Sequence, residues 1–141
     1  VLFVLCQTQE STFAVDADHI VEIIRMVQIT RLPSEAGRLD GLINYRGDMI
    51  PVMDSNRYLQ QEAAPYGADS AMVVVRYANQ TFALVLNEIV SVLDLPVEAL
   101  IAYEAIEQEY FNSALQHETR IHPVLNLKRI VQDIRTSLQS V

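Results

Sequence analysis

The chain has 141 residues, with 18 acidic and 10 basic side chains, a net charge of −8 and half of its residues apolar. That composition excludes disordered and fibrous classes and gives enough apolar mass for a core without disulfides or metal. The negative balance works against phosphate backbones and anionic lipid, and the basic residues, nine of them arginine, are scattered, so nucleic-acid binding is not expected. The single cysteine, Cys6, permits no internal disulfide and suits a reducing cytosol. The apolar runs are far shorter than the roughly 20 residues that cross a bilayer, so no membrane insertion is expected.

The chain opens with Val1 inside an apolar run, and the natural N-terminus is expected to lie upstream. Residues 2–7 and 12–15 are short, rich in β-branched and aromatic side chains, and parted by a polar cluster, which reads as a hairpin. Residues 19–29 carry apolar side chains at 20, 23, 24 and 27, a spacing that also fits a helical stripe. The density of β-branched residues (Ile20, Val21, Ile23, Ile24, Val27, Ile29, Thr30) and the stop at Leu32-Pro33 favour a strand. Residues 42–45 and 49–53 form a second hairpin around Arg46-Gly47-Asp48, where Gly47 can take the positive φ of a tight turn.

One helical turn is expected over 55–59, followed by a linker over 60–70, punctuated by Pro65 and Gly67. Residues 72–77 and 81–86 make a third hairpin. The acidic stretch from Asp94 to Glu109 reads as a solvated loop or helix face. A long helix over 127–138 follows from the spacing of Leu127, Ile130, Val131, Ile134 and Leu138, with Asn126 placed to cap it.

The chain repeats itself. Thr12-Phe-Ala-Val-Asp-Ala-Asp-His-Ile-Val-Glu-Ile23 aligns without gaps on Thr81-Phe-Ala-Leu-Val-Leu-Asn-Glu-Ile-Val-Ser-Val92, with five of twelve positions identical. Farther on, Pro51, Val52 and Arg57 match Pro123, Val124 and Arg129 in the same order. Two related halves are expected, a first subdomain of roughly 10–65 and a second of roughly 70–125, completed by the N-terminal strand and the closing helix.

Chemistry is sparse. His19, His117 and His122 have no metal-ligand spacing and read as surface or turn histidines. No phosphate-cradling loop or nucleophile motif is present. Asp16 and Asp18, alternating with alanine, read as turn residues rather than a catalytic pair, and Asp48 and Asp54 as caps of the turn and the short helix. No enzymatic activity, metal or cofactor is expected.

The residues that carry a specific pattern are Phe13-Ala-Val, Ile20-Val-Glu-Ile23, Ile29-Thr-Arg-Leu-Pro33 and above all Gly41-Leu-Ile-Asn-Tyr-Arg-Gly-Asp-Met-Ile-Pro-Val-Met-Asp54. Together they resemble the CheW-like domain of bacterial chemotaxis over nearly the whole chain. The resemblance implies a mainly β fold of two five-stranded SH3-like β-barrels packed side by side, with a hydrophobic groove between them and a C-terminal helix. It further implies a cytoplasmic, non-enzymatic adaptor joining the cytoplasmic tip of a methyl-accepting chemoreceptor to the regulatory domain of a CheA-type histidine kinase.

The same resemblance leaves open a regulatory domain of a CheA-like kinase or part of a CheV-like protein. A small β-barrel ligand carrier or hydrolase is the competing reading from outside the family. The partner-binding positions implied are Ile20, Glu22, Gly41, Asn44, Arg46 and Gly47. From the residues alone, Ile20 fits core packing as well as contact, and Arg46 fits either a pair with Glu22 or an interface arginine. Ser55, Ser113 and Glu118 depart from the family pattern, where leucine, glycine and glycine are usual.

Overall fold

The computed structural model describes residues 1–32, 39–62, 66–102 and 110–139. Its strands are β1 (Leu2–Gln7), β2 (Thr12–Asp16), β3 (Ile20–Arg25), β4 (Thr30–Arg31), β5 (Gly41–Tyr45), β6 (Asp48–Asp54), β7 (Ala71–Tyr77), β8 (Gln80–Leu86), β9 (Glu88–Asp94), β10 (Leu100–Ala102), β11 (Phe111–His117) and β12 (Arg120–Leu125). Two α-helices, α1 (Ser55–Tyr58) and α2 (Leu127–Gln139), and two 3-10 turns, Ala17–His19 and Val97–Ala99, complete it. The three expected hairpins form as β1–β2, β5–β6 and β7–β8.

The 19–29 run becomes the strand β3 only over its first part, after a 3-10 turn whose N-cap is Asp16: its side chain accepts from the Asp18 N–H. Asp54 likewise caps α1 through the Asn56 N–H at 2.9 Å, and Asn126 caps α2 through the Arg129 N–H at 3.1 Å. The β5–β6 turn is capped from Asn44, not Asp48, as described below. Of the acidic stretch, residues 103–109 lie outside the described residues, as does Pro33.

The strands form two six-stranded sheets, one more strand in each than the resemblance implied. Sheet A runs β10-β11-β12-β2-β1-β9 and sheet B runs β4-β5-β6-β8-β7-β3. Laid side by side the two orders correspond strand for strand, with the repeat: β2–β3 matches β8–β9, and β6 matches β12. The equivalent central seams are both parallel, Val124 with Ala14 in sheet A and Val52 with Ala83 in sheet B.

The two sheets do not follow the sequence halves on either side of 60–70. The first-half hairpin β1–β2 is completed by the second-half strands β9–β12, and the second-half hairpin β7–β8 by the first-half strands β3–β6. The reason is local. After β2 and after β8 the chain turns once and leaves the hairpin, so β3 pairs antiparallel with β7, and β9 with β1. The last four strands of each half thereby share a sheet with the other half's first hairpin.

Burial follows from that exchange. The central strands are covered on both faces, which is why they read as continuous apolar runs. Alternate residues of β1, β2, β7 and β8 (Val4, Cys6, Phe13, Val15, Val73, Val75, Phe82, Leu84) meet between the sheets, joined there by Ile130 and Ile134 of α2. Their neighbours face the other way, Met72, Val74, Ala83 and Val85 into a core within sheet B, and Phe3 and Ala14 into a smaller one within sheet A. The space between the sheets is therefore the largest core rather than a groove. One open cleft, of about 160 Å³, is lined in part by Phe3, Asp16, His19, Tyr77, Leu127 and Lys128.

Candidate partner-binding site

The site residues gather where β3 and the end of β5 in sheet B approach each other. The β5–β6 hairpin turns through two residues, Arg46 and Gly47, with φ of 51° and 90°. Both lie in the left-handed region, as a two-residue type I′ turn requires, and the second tolerates it because it is glycine. Asn44 fixes the turn by accepting the Gly47 N–H on Oδ1 at 3.0 Å. The turn in this way holds the Arg46 side chain out over the end of β5.

Glu22 comes from β3, the far edge of the same sheet. Tyr45 Oη donates to Glu22 Oε2 at 2.7 Å, and Arg46 Nη2 donates to both carboxylate oxygens at 3.0 Å. The guanidinium also lies 5.4 Å from the Tyr45 ring centroid. The Tyr45 hydrogen bond, with the Arg46 charge behind it, holds the Glu22 carboxyl below its ordinary range against the opposing effect of burial. The same bond raises the Tyr45 phenol. Arg46 is 71% exposed and Glu22 34% exposed, so one face of the pair remains open to a partner.

Of the other two expected residues, Gly41 is buried and Ile20 half-buried. Ile20 starts β3, pairs with Val75 and packs against the core between the sheets. Gly41 is buried where β4 closes on β5, and a Cβ there would collide with the Thr30 carbonyl oxygen. Four of the six expected residues (Glu22, Asn44, Arg46, Gly47) thus come together, while Ile20 and Gly41 lie elsewhere on β3 and β5.

Sequence reasoning passed over the residues beside Glu22 that face outward. Val21 and Ile23 are 49% and 43% exposed on the edge strand β3. The alternation was readable once Ile20 and Ile24 are placed inward. In the repeat their counterparts are Val90 and Val92 of β9, the edge of sheet A, exposed at 44% and 57%. Apolar side chains on two equivalent edges are surface that a monomer ordinarily covers.

The histidines are not alike. His19 stacks edge-on to Tyr77 with ring centroids 5.0 Å apart. His117 ends β11, whereas His122 is buried in β12, which corrects its reading as a surface or turn residue: its alternation on β12 turns it inward. Of the family departures, Ser55 is 2% exposed with its hydroxyl unpaired among the described residues. Glu118 takes a φ of 56°, the turn conformation that glycine would hold without strain. Among the described residues no cluster of His, Cys, Asp or Glu could hold a metal ion, and no helix is long and apolar enough to cross a membrane.

Comparison with known proteins bears on the family and the fold. The family model described as CheW-like domain matches residues 2–135. Chemotaxis protein CheW of Klebsiella aerogenes is 21% identical over 98 residues, covering 70% of this chain and 59% of that protein. Protein PilI of Pseudomonas aeruginosa is 24% identical over 110 residues, covering 75% of this chain and 62% of its own length. The chain therefore spans about three fifths of these relatives. Among solved structures, the scaffolding protein TtCheW from Thermoanaerobacter tengcongensis superposes with a TM-score of 0.82 at 19% identity, covering 89% of this chain and 88% of that one.

Proposed function

Because this chain belongs to the CheW-like domain family, we propose that it is a non-enzymatic chemotaxis adaptor, joining a chemoreceptor's cytoplasmic tip to the regulatory domain of a CheA-type histidine kinase. The observation that carries the reading is the match over nearly the whole chain, residues 2–135, with the fold of a scaffolding protein. Two rigid sheets in fixed relation suit such a task, since little conformational entropy is lost when partners dock. The protein works in the cytoplasm in this account, at receptor arrays reached through its partners, and uses no cofactor.

Contact is made through the open side of the Glu22–Tyr45–Arg46 cluster and through Val21 and Ile23 on the outer face of β3. Arg46 offers a planar, exposed donor set to a partner carboxylate, and the aliphatic pair supplies burial, worth about 25 cal/mol per Å². Asn44 and Gly47 hold the turn in place, and Ile20 and Gly41 hold the strands. Titrating the chain by calorimetry with a purified kinase regulatory domain and, separately, with a receptor-tip helical hairpin tests the assignment. Saturable binding to both is expected. Binding to neither removes the adaptor reading, and binding only to a receptor tip would break the link to the kinase.

A further inference from the structure

The internal repeat supplies a control at one buried position. Ile50 of β6 and His122 of β12 stand one residue before Pro51 and Pro123, at the same place in the two halves, and each is 5% exposed. Ile50 joins the apolar interior of sheet B. His122 instead puts an imidazole beside the smaller interior of sheet A, whose buried apolar residues among those described are Phe3, Ala14, Leu115 and Val124. It lies across from Leu115 of β11, and its Nδ1 is 3.3 Å from the Thr12 hydroxyl of β2. That contact sits on the parallel seam of β12 with β2, the junction that joins the first-half hairpin to the second-half strands.

A neutral ring fits this place and a charged one does not. Thr12 on β2 puts a neutral hydroxyl, not a carboxylate, 3.3 Å from Nδ1. The charged groups that act on the ring are His117 of β11 and Arg120 of β12, both of the wrong sign for an imidazolium. Glu118, in the turn between those strands, lies against His117 Nε2 at 3.8 Å. Burial first, then His117 and Arg120, hold the His122 pKa below its ordinary value.

We propose that His122 is an acid-sensitive latch: its neutral ring closes the β2–β12 seam, and its protonation loosens sheet A while sheet B, with isoleucine at the equivalent place, stays closed. The free imidazole titrates near about 6.5, and the closed seam binds the proton less readily than the open one. The latch is therefore fully effective above that value and weakens as pH falls below it. One proton raises the open population by at most about tenfold per pH unit.

Amide hydrogen exchange on the full chain at about pH 7.5 and about pH 5.5, on either side of the free-imidazole value, reads this directly once intrinsic rates are divided out. Opening at β2 and β12 should increase several-fold on acidification with β6–β8 little changed, and His122→Ile should abolish the increase. An equal increase in both sheets, or the same response in the variant, overturns the proposal. Should His122→Ile not fold, NMR titration of the wild-type His122 ring gives an independent answer: a midpoint at or above the free-imidazole value refutes the latch, and a depressed one supports it.

Discussion

The Glu22 carboxylate and the Arg46 guanidinium meet at 3.0 Å although they come from β3 and the end of β5, the sixth and second strands in the order of sheet B. Only a sheet that curls brings those strands together. Ile24 and Tyr45 both pack on the same small core, so the curl has an apolar interior and the polar cluster closes its rim. The pair clasps that rim while leaving the Arg46 guanidinium 71% exposed.

Replacing Arg46 by alanine separates clasping from partner contact. The guanidinium is 71% exposed and Tyr45 still bonds Glu22, so the melting temperature should be nearly unchanged. Affinity for the kinase regulatory domain should fall by about tenfold or more, as for an anchoring interface arginine. Thermal melts and calorimetry on the same preparations check both halves of the expectation.

The clasp has an electrostatic signature. The Tyr45 hydrogen bond is the largest single cause holding Glu22 below its ordinary range, and Arg46 adds both its charge and a hydrogen bond, so Tyr45→Phe and Arg46→Ala should each raise the Glu22 midpoint in a carboxyl-detected NMR titration. A group depressed in the folded state adds stability above its unfolded value and loses it as pH falls through its folded value. The clasp should accordingly persist at neutral pH and release in acid, below the ordinary carboxyl range. A larger effect from Arg46→Ala would make charge, rather than the phenol, its main support.

Gly41 makes a prediction about folding. A methyl group there collides with the Thr30 carbonyl oxygen, and β4 must move away from β5. Gly41→Ala should destabilise by about 1–3 kcal/mol, the usual size of overpacking, as read by urea unfolding. Partner binding at temperatures where the variant remains folded should be lowered less than by Arg46→Ala, because Gly41 presents no surface.

A buried carboxylate at the other end of the β5–β6 hairpin gives a further check. Asp40, whose side chain is 4% exposed, accepts from Arg57 Nη1 at 2.8 Å and from the Asp54 N–H at 2.6 Å, with Arg31 at 3.7 Å. Removing Arg57 leaves that carboxylate short of a charged donor, and Arg57→Ala should cost about 1–3 kcal/mol in chemical denaturation. A neutral result would mean that Arg31 takes its place.

The hairpins were legible because turn chemistry and β-branched runs are local: Gly47 and the β5–β6 turn, or the alternation in β7 and β8, need no knowledge of the rest of the chain. The repeat was legible for the same reason. The strand exchange was not, since nothing in residues 20–25 says whether β3 returns to β2 or crosses to β7; that is decided by which apolar face it can cover. The Glu22–Arg46 proximity was readable as one of two alternatives, and it holds. The inward burial of His122 and the outward turn of Val21 and Ile23 were missed because strand phase depends on where a strand begins, and the 3-10 turn at Ala17–His19 sets that for β3.

The central claim is that this chain binds a kinase regulatory domain through the cluster on sheet B. The most direct measurement is a calorimetric titration of that domain into the wild type and into Val21→Asp and Arg46→Ala variants. The account predicts saturable binding by the wild type and a loss of about tenfold or more in each variant, with circular dichroism unchanged. Wild-type affinity in both variants, or no binding by the wild type, would contradict it.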